Sequence, residues 1–153
     1  MNKPCIVTIF MKNIPAEVLH HQKMVIEKFN PSNIDYCPIY TEVSHGYTMS
    51  QLMGLLEKRG NDAVLFLDVD CVPLNECALE YMFKQAYAGK VIGDAQRSNH
   101  IENNQHVFAG AHNVCISFET YHKIGAPSLE PNYRGDVAEE LTFKAEENNI
   151  EVE

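Results

Sequence analysis

Ala63-Val64-Leu65-Phe66-Leu67-Asp68-Val69-Asp70-Cys71-Val72-Pro73-Leu74 is the stretch on which the fold turns. Five apolar residues run straight into two carboxylates one residue apart. Asn61-Asp62 opens the run and Pro73 closes it, which reads as a short strand buried on both faces. Strand periodicity of two sets Asp68 and Asp70 on the same side, at the carboxyl end. Carboxylates this close repel one another, and a divalent cation removes that cost. Their hard oxygens suit Mn²⁺ or Mg²⁺. Asp is also a common turn residue, so the plainer alternative is a strand that ends in a turn.

Working outward, Cys5 to Phe10 is rich in β-branched residues and reads as a first strand. Pro15-Ala16-Glu17 opens a helix whose apolar positions Val18, Met24, Val25 and Phe29 lead to Asn30-Pro31. Ile34 to Tyr40 is a second short strand, with Pro38 near an edge or end. Ser44-His45-Gly46-Tyr47 reads as a turn, and Thr48 or Ser50 as the cap of a helix ending at Arg59-Gly60. His45 falls on the rim and is favoured for the turn over a ligand role. This β-α-β-α-β order predicts an α/β fold: a single-domain, Rossmann-like, open and mostly parallel sheet flanked by helices. Ligands of such sheets bind beyond the carboxyl ends of the strands. Thr8 to Lys12, Tyr40 to Ser44 and Asp68 to Cys71 therefore share one rim.

Beyond the carboxylates, Asn75 to Gly89 reads as a helix and Val91 to Ala95 as a short strand. Arg97 to Gln105 is polar and loop-like, and Arg97 could pair with a diphosphate. Val107 to Phe118 reads as a strand broken at Gly110-Ala111-His112-Asn113, where backbone approaches something closely. Tyr121 to Gly125 is a helical turn, Pro127 to Gly135 a loop and Asp136 to Ala145 a last helix. Asp136 and Glu139 have capping-box spacing. Ile150 to Glu153 alternates like the start of a strand. No repeat or linker divides residues 1–153, so one domain is expected.

The chain has 153 residues, with 21 acidic and 12 basic side chains and a net charge of −9. That balance disfavours nucleic acid and anionic membrane as broad partners. No apolar run is long enough to span a bilayer. The first residues enter a strand and carry no signal-peptide pattern. Five cysteines, an odd number without zinc-like pairing, fit a reducing compartment, so a cytoplasmic location is expected.

Taken together, the β-α-β-α-β lead and Leu65-Phe66-Leu67-Asp68-Val69-Asp70 resemble the GT-A nucleotide-sugar glycosyltransferases, of the nucleotide-diphospho-sugar transferase superfamily, with their Asp-x-Asp motif. Phe108 to Gly125 is similar to the family's acceptor-side strand and short helix. Asp136 to Lys144 resembles its acidic helix. The resemblance implies a metal-dependent transfer from a nucleotide-diphosphate sugar to a hydroxyl acceptor, with inversion. It implies Asp70 as metal ligand and Asp68 on the nucleotide side, near metal or ribose. Thr8, Ile9 and Phe10 would hold the base through backbone groups. His112 and Asn113 would contact acceptor or donor sugar. Asp136 or Glu140 would be the general base.

The sequence departs from the family at three places, one being that Glu139-Glu140, with Asp136 just upstream, stands for the family's Glu-Asp pair. Tyr40-Thr41-Glu42-Val43-Ser44 stands where many members carry an Asp-Asp pair, and no late metal-binding His follows the acidic helix. The expectation is a site open on its C-terminal side, with weak donor binding unless a homo-oligomer closes it. Two alternatives remain. Asp68-Val69-Asp70-Cys71-Val72 also resembles the first motif of haloacid-dehalogenase-like phosphatases, with Asp68 as nucleophile and Lys123 and Gly135-Asp136-x-x-Glu139 as later motifs. That motif usually opens a domain, whereas here two βα units precede it. The other alternative is a non-catalytic module that binds a sugar nucleotide.

Overall fold

β3 (Ala63–Leu67) is buried along its whole length, as its unbroken apolar composition demands. In the computed structural model, which describes residues 2–100 and 105–153, it is the central strand of five. The others are β1 (Pro4–Phe10), β2 (Asp35–Tyr40), β4 (Ile92–Arg97) and β5 (Val107–Ser117). The order across the sheet is β2-β1-β3-β5-β4. β2, β1 and β3 are parallel, while β5 runs antiparallel to both β3 and β4. This is the expected open, mostly parallel α/β sheet.

Helices cover both faces. α2 (His45–Lys58), α4 (Phe118–Lys123) and α5 (Glu139–Glu147) cover one; Val64 and Phe66 pack there with Met49, Met53, Tyr121 and Leu141. α1 (Ala16–Lys28) and α3 (Ala78–Tyr87) supply Ile26, Leu79 and Phe83 to the other, against Ile6, Leu65 and Leu67. Each such side chain contributes about 1.5–3 kcal/mol on burial. Alternate residues of β3 thus point into different cores, which is why its sequence shows no alternation.

Several elements begin or run differently from the sequence expectation. α1 turns Gln22 and Ile26 inward and leaves Val18 and Met24 exposed. α2 begins at His45, with Ser44 as cap, so Ser44 to Tyr47 is the entry to the helix and not a separate turn. α3 begins at Ala78, because the Asn75 side chain accepts from the Cys77 N–H and shapes 75–77 into a turn. β4 runs on to Arg97. β5 is continuous through Gly110 to Asn113, and its register with β4 shifts between Gly93 and Ala95. α5 begins only at Glu139, after Ala138 in the left-handed conformation at φ 62°. The Arg97–Gln105 loop lies partly outside the described residues, at 101–104. Ile150–Glu153 forms a short parallel bridge, with Val91 opposite Val152.

Gly46 places α2. A Cβ there would stand 2.8 Å from the Leu129 carbonyl oxygen and 2.9 Å from Glu130 Cα, both backbone. Gly46→Ala should therefore cost about 1–3 kcal/mol by overpacking. Chemical denaturation with an unchanged slope and a lower midpoint would show it; an unchanged midpoint would mean that the helix entry can shift freely.

Candidate functional site

The chain leaves β1 toward β2 on one side of the sheet and reaches β3 on the other side of β1. Open α/β sheets bind ligands at such a reversal, beyond the carboxyl ends of the strands. A cavity of about 420 Å³ occupies that position, lined by Ile9, Phe10, His45, Asp68 and Asp70, with Asn13 and Thr41 beside them. A larger hollow of about 500 Å³ lies at the opposite, amino ends of the strands, near Lys3, Asp35 and Tyr87. It contains neither carboxylate of the pair, and we place the candidate site at the smaller cavity.

Several elements hold the carboxylates. The Asp68 N–H donates to the His112 carbonyl at 2.8 Å, which continues the β3–β5 ladder one step past Leu67. Buried Gln22, from α1, donates through Nε2 to the carbonyls of Asp68 at 2.7 Å and Cys71 at 2.9 Å. Its Oε1 accepts from the Tyr36 hydroxyl at 2.8 Å. The turn Asp68–Cys71 is closed by Cys71 N–H donating to Asp68 O. Asp70 is exposed at its tip.

Two histidines flank the pair. His45 Nε2 stands 3.6 Å from Asp68 Oδ1, each side chain about one-third exposed. Burial holds the Asp68 carboxyl above its ordinary range; Asp70 pushes the same way, and His45 and His112 oppose it. Burial first, then the negative charge of Asp70, also pushes the Cys71 thiol up to about 11. A raised folded-state pKa favours the protonated form. Asp68 therefore adds stability at low pH that is lost as pH rises through its folded-state value. With the carboxylate more than one-third exposed, solvent screens much of this effect. Asp68→Asn should accordingly raise the neutral-pH Tm of the ligand-free protein by about 2 °C, a gain that vanishes in acid. A Tm lowered at neutral pH would refute this account of Asp68.

Ile9 and Phe10 line the cavity, and Phe10 meets Tyr40 edge-on at 5.8 Å between ring centroids. Thr8 lies beneath: it is fully buried, and its hydroxyl donates to the Leu67 carbonyl. Its side chain braces β3 and does not reach the cavity. His112 and Asn113 stand farther along the rim beside Asp94, with Asn113 Nδ2 donating to Asp94 Oδ2 at 3.0 Å and His112 Nε2 at 3.6 Å from it.

The acids around α5 are each engaged. Glu139 is fully buried and accepts from Ser98 Oγ at 2.8 Å and from the Asp136 N–H at 2.7 Å; its Oε1 meets His106 Nδ1 at 2.5 Å. The Asp136 N–H bond is half of the expected capping box, since the Asp136 side chain instead accepts from the Asn99 N–H at 2.8 Å. Glu140 accepts from Arg134 through both carboxylate oxygens and from Asn132 Nδ2. The Arg134 hydrogen bonds, above all, hold its carboxyl below the ordinary range. Arg97 meets Gln105 at 3.3 Å. Asp94, Gln22 and Arg134 escaped the sequence reading. A lone acid inside the short strand Val91–Ala95 was the available signal for Asp94; nothing marked the other two.

The fold and this rim define an α/β protein with an open mixed sheet and a carboxylate pair at its central strand end. No family model matches the chain, and no curated protein matches it. Several solved structures are similar, two of which follow. One is A197 from STIV, 16% identical, with a TM-score of 0.55 over 83% of this chain and 70% of that chain. The other is a protein of Desulfovibrio desulfuricans G20 described as a "putative nucleotide-diphospho-sugar transferase". It is 10% identical, with a TM-score of 0.59 over 99% of this chain and 79% of that chain. At these identities the likeness is one of fold. No helix among the described residues is long and apolar enough to cross a membrane.

Proposed function

We propose that this protein is a nucleotide-sugar-dependent glycosyltransferase of the nucleotide-diphospho-sugar transferase superfamily. The observation that carries this reading is the Asp68–Asp70 pair beside the cavity at the β1–β3 reversal, in a fold shared with the D. desulfuricans protein. In this reading Ile9 and Phe10 face the nucleobase, with Thr8 bracing the strand behind them. Asp68 and Asp70 face the diphosphate, and His112 and Asn113 lie toward the transferred sugar and its acceptor.

Among the described residues no group of three or more His, Cys, Asp and Glu side chains is gathered to hold a metal ion. The two carboxylates nevertheless fit a hard divalent cation that takes its other ligands from water and phosphate, as Mg²⁺ and Mn²⁺ commonly do. Burial and the Asp70 charge both disfavour ionised Asp68, and a cation relieves both. Asp70 and Asp68 would hold it, and when bound it would supply charge stabilisation for the departing diphosphate. Gln22 fixes the backbone of the turn that carries the two acids. Direct displacement by an acceptor hydroxyl would invert the anomeric centre. A thermal-shift screen of nucleoside diphosphates and their sugar esters, with and without Mn²⁺, tests the reading, since a ligand of the native state raises Tm. No response to any nucleotide would refute it.

A further inference from the structure

The rim has a second side. Past Asp70 the chain passes through Val72, Pro73 and Leu74, which border a separate cavity of about 280 Å³. It shares no lining residue with the cavity at the β1–β3 reversal. Its floor is apolar, from Leu65, Leu67 and Leu79, while Asp94, Asn113 and Asn75 give it polar groups.

Asp94 is fixed through one oxygen and open through the other. Oδ2 accepts from Asn113 and lies 3.6 Å from His112 Nε2, whereas Oδ1 has no hydrogen-bond partner among the described residues. The Asp94 side chain is 64% exposed. The wall is tied to the carboxylate pair, because the His112 carbonyl receives the Asp68 N–H. A carboxylate oriented in this way can take a proton from a neighbouring hydroxyl. Glu140 is held by Arg134 and Glu139 by His106 and Ser98, while Asp136, which accepts from the Asn99 N–H through one oxygen, does not line this cavity.

We infer, resting on the transferase reading above, that the second cavity receives the acceptor and that Asp94 is the general base. Its size and leucine floor suit one sugar ring, or an alcohol of similar size, with C–H groups on the leucines and a hydroxyl toward Asp94. The acceptor oxygen forms its bond to the anomeric carbon as the bond from that carbon to the diphosphate oxygen breaks. The electron pair of the broken bond leaves with the nucleoside diphosphate. The acceptor proton passes to Asp94 and from there to water.

The test follows release of nucleoside diphosphate from uridine and guanosine diphosphate sugars in Mn²⁺, in water alone and with methyl pyranosides of glucose, galactose and mannose. Asp94→Asn keeps the side-chain shape and should lower turnover by about 10² or more. Donor binding, read by thermal shift, should stay within about twofold. Asp136→Asn and Glu140→Gln should cost turnover much less. Wild-type turnover in Asp94→Asn, or a reversal of that order, overturns the inference and leaves the transferase reading standing. Donor binding lost in step with turnover would likewise overturn the base role. A wild type that binds no nucleotide, or releases none, overturns both. A pyranoside that stimulates release in the wild type but not in Asp94→Asn supports the acceptor assignment; no stimulation by any of the three overturns it.

Discussion

A nucleoside diphosphate with Mn²⁺ or Mg²⁺ is expected to raise the melting temperature by about 5–10 °C, and Asp70→Asn to abolish the rise. Saturation at about 100 times Kd adds about 2.7 kcal/mol to the native state. For a chain of this length each kcal/mol moves Tm by about 2–4 °C. The dependence on a divalent ion follows from charge. A diphosphate meeting bare Asp68 and Asp70 would face like charges, and the cation turns that repulsion into attraction. Asp70 is exposed at the tip of the turn, so its replacement by Asn removes a donor without opening a hole in the core. A nucleotide shift of equal size in wild type and variant, unaffected by EDTA, would remove these carboxylates from the account.

The largest loss of stability is expected at Glu139. Ala in its place leaves the Ser98 hydroxyl, the His106 Nδ1 and the Asp136 N–H without their acceptor, and Ser98 is itself buried. Each buried polar group left unpaired costs about 1–3 kcal/mol. Three such groups sum to about 3–9 kcal/mol; single substitutions rarely exceed about 5, so a loss of about 3–5 kcal/mol is expected, or a fall in Tm of about 6–20 °C. Gln retains one acceptor oxygen and should restore part of the loss. Glu146, exposed and 3.6 Å from the other His106 nitrogen, serves as the control, and Glu146→Ala should change stability by about 0.5 kcal/mol or less. Thermal denaturation decides it. Equal Tm values for the Glu139→Ala and Glu146→Ala proteins would show that the buried carboxylate stabilises nothing.

These residues also mark how far the sequence could be read. β3 was legible because burial on both faces dictates composition, but the strand ends at Leu67, and Asp68 and Asp70 lie in the turn after it, so strand period does not set their directions. Ile9 and Phe10 followed from the rule that ligands gather beyond carboxyl ends. The α1 face was misread because one of its two buried positions is a glutamine. Nothing local announces that an amide will be buried to serve carbonyls 46 and 49 residues away. The Arg134–Glu140 pair depends on how the 127–138 loop folds back, and hydrophobic periodicity does not report loop paths. Gly46 looked like turn punctuation. Its reason is the close approach of the Leu129–Glu130 backbone, a contact visible only in three dimensions.

Gln22 spends both hydrogens of one amide on the two ends of the Asp68–Cys71 turn. Glutamate could offer neither hydrogen, and leucine neither hydrogen nor acceptor. The geometry of the acidic tip is thus inherited from a helix that contributes only exposed Val18 to the cavity beside it. Mutational freedom should divide accordingly. Met11 to Ile14, a loop on the cavity wall, can change to suit a different ligand at small structural cost. One inward position of α1 cannot change at all without releasing the turn, and the capacity of this scaffold to diversify rests on leaving it alone.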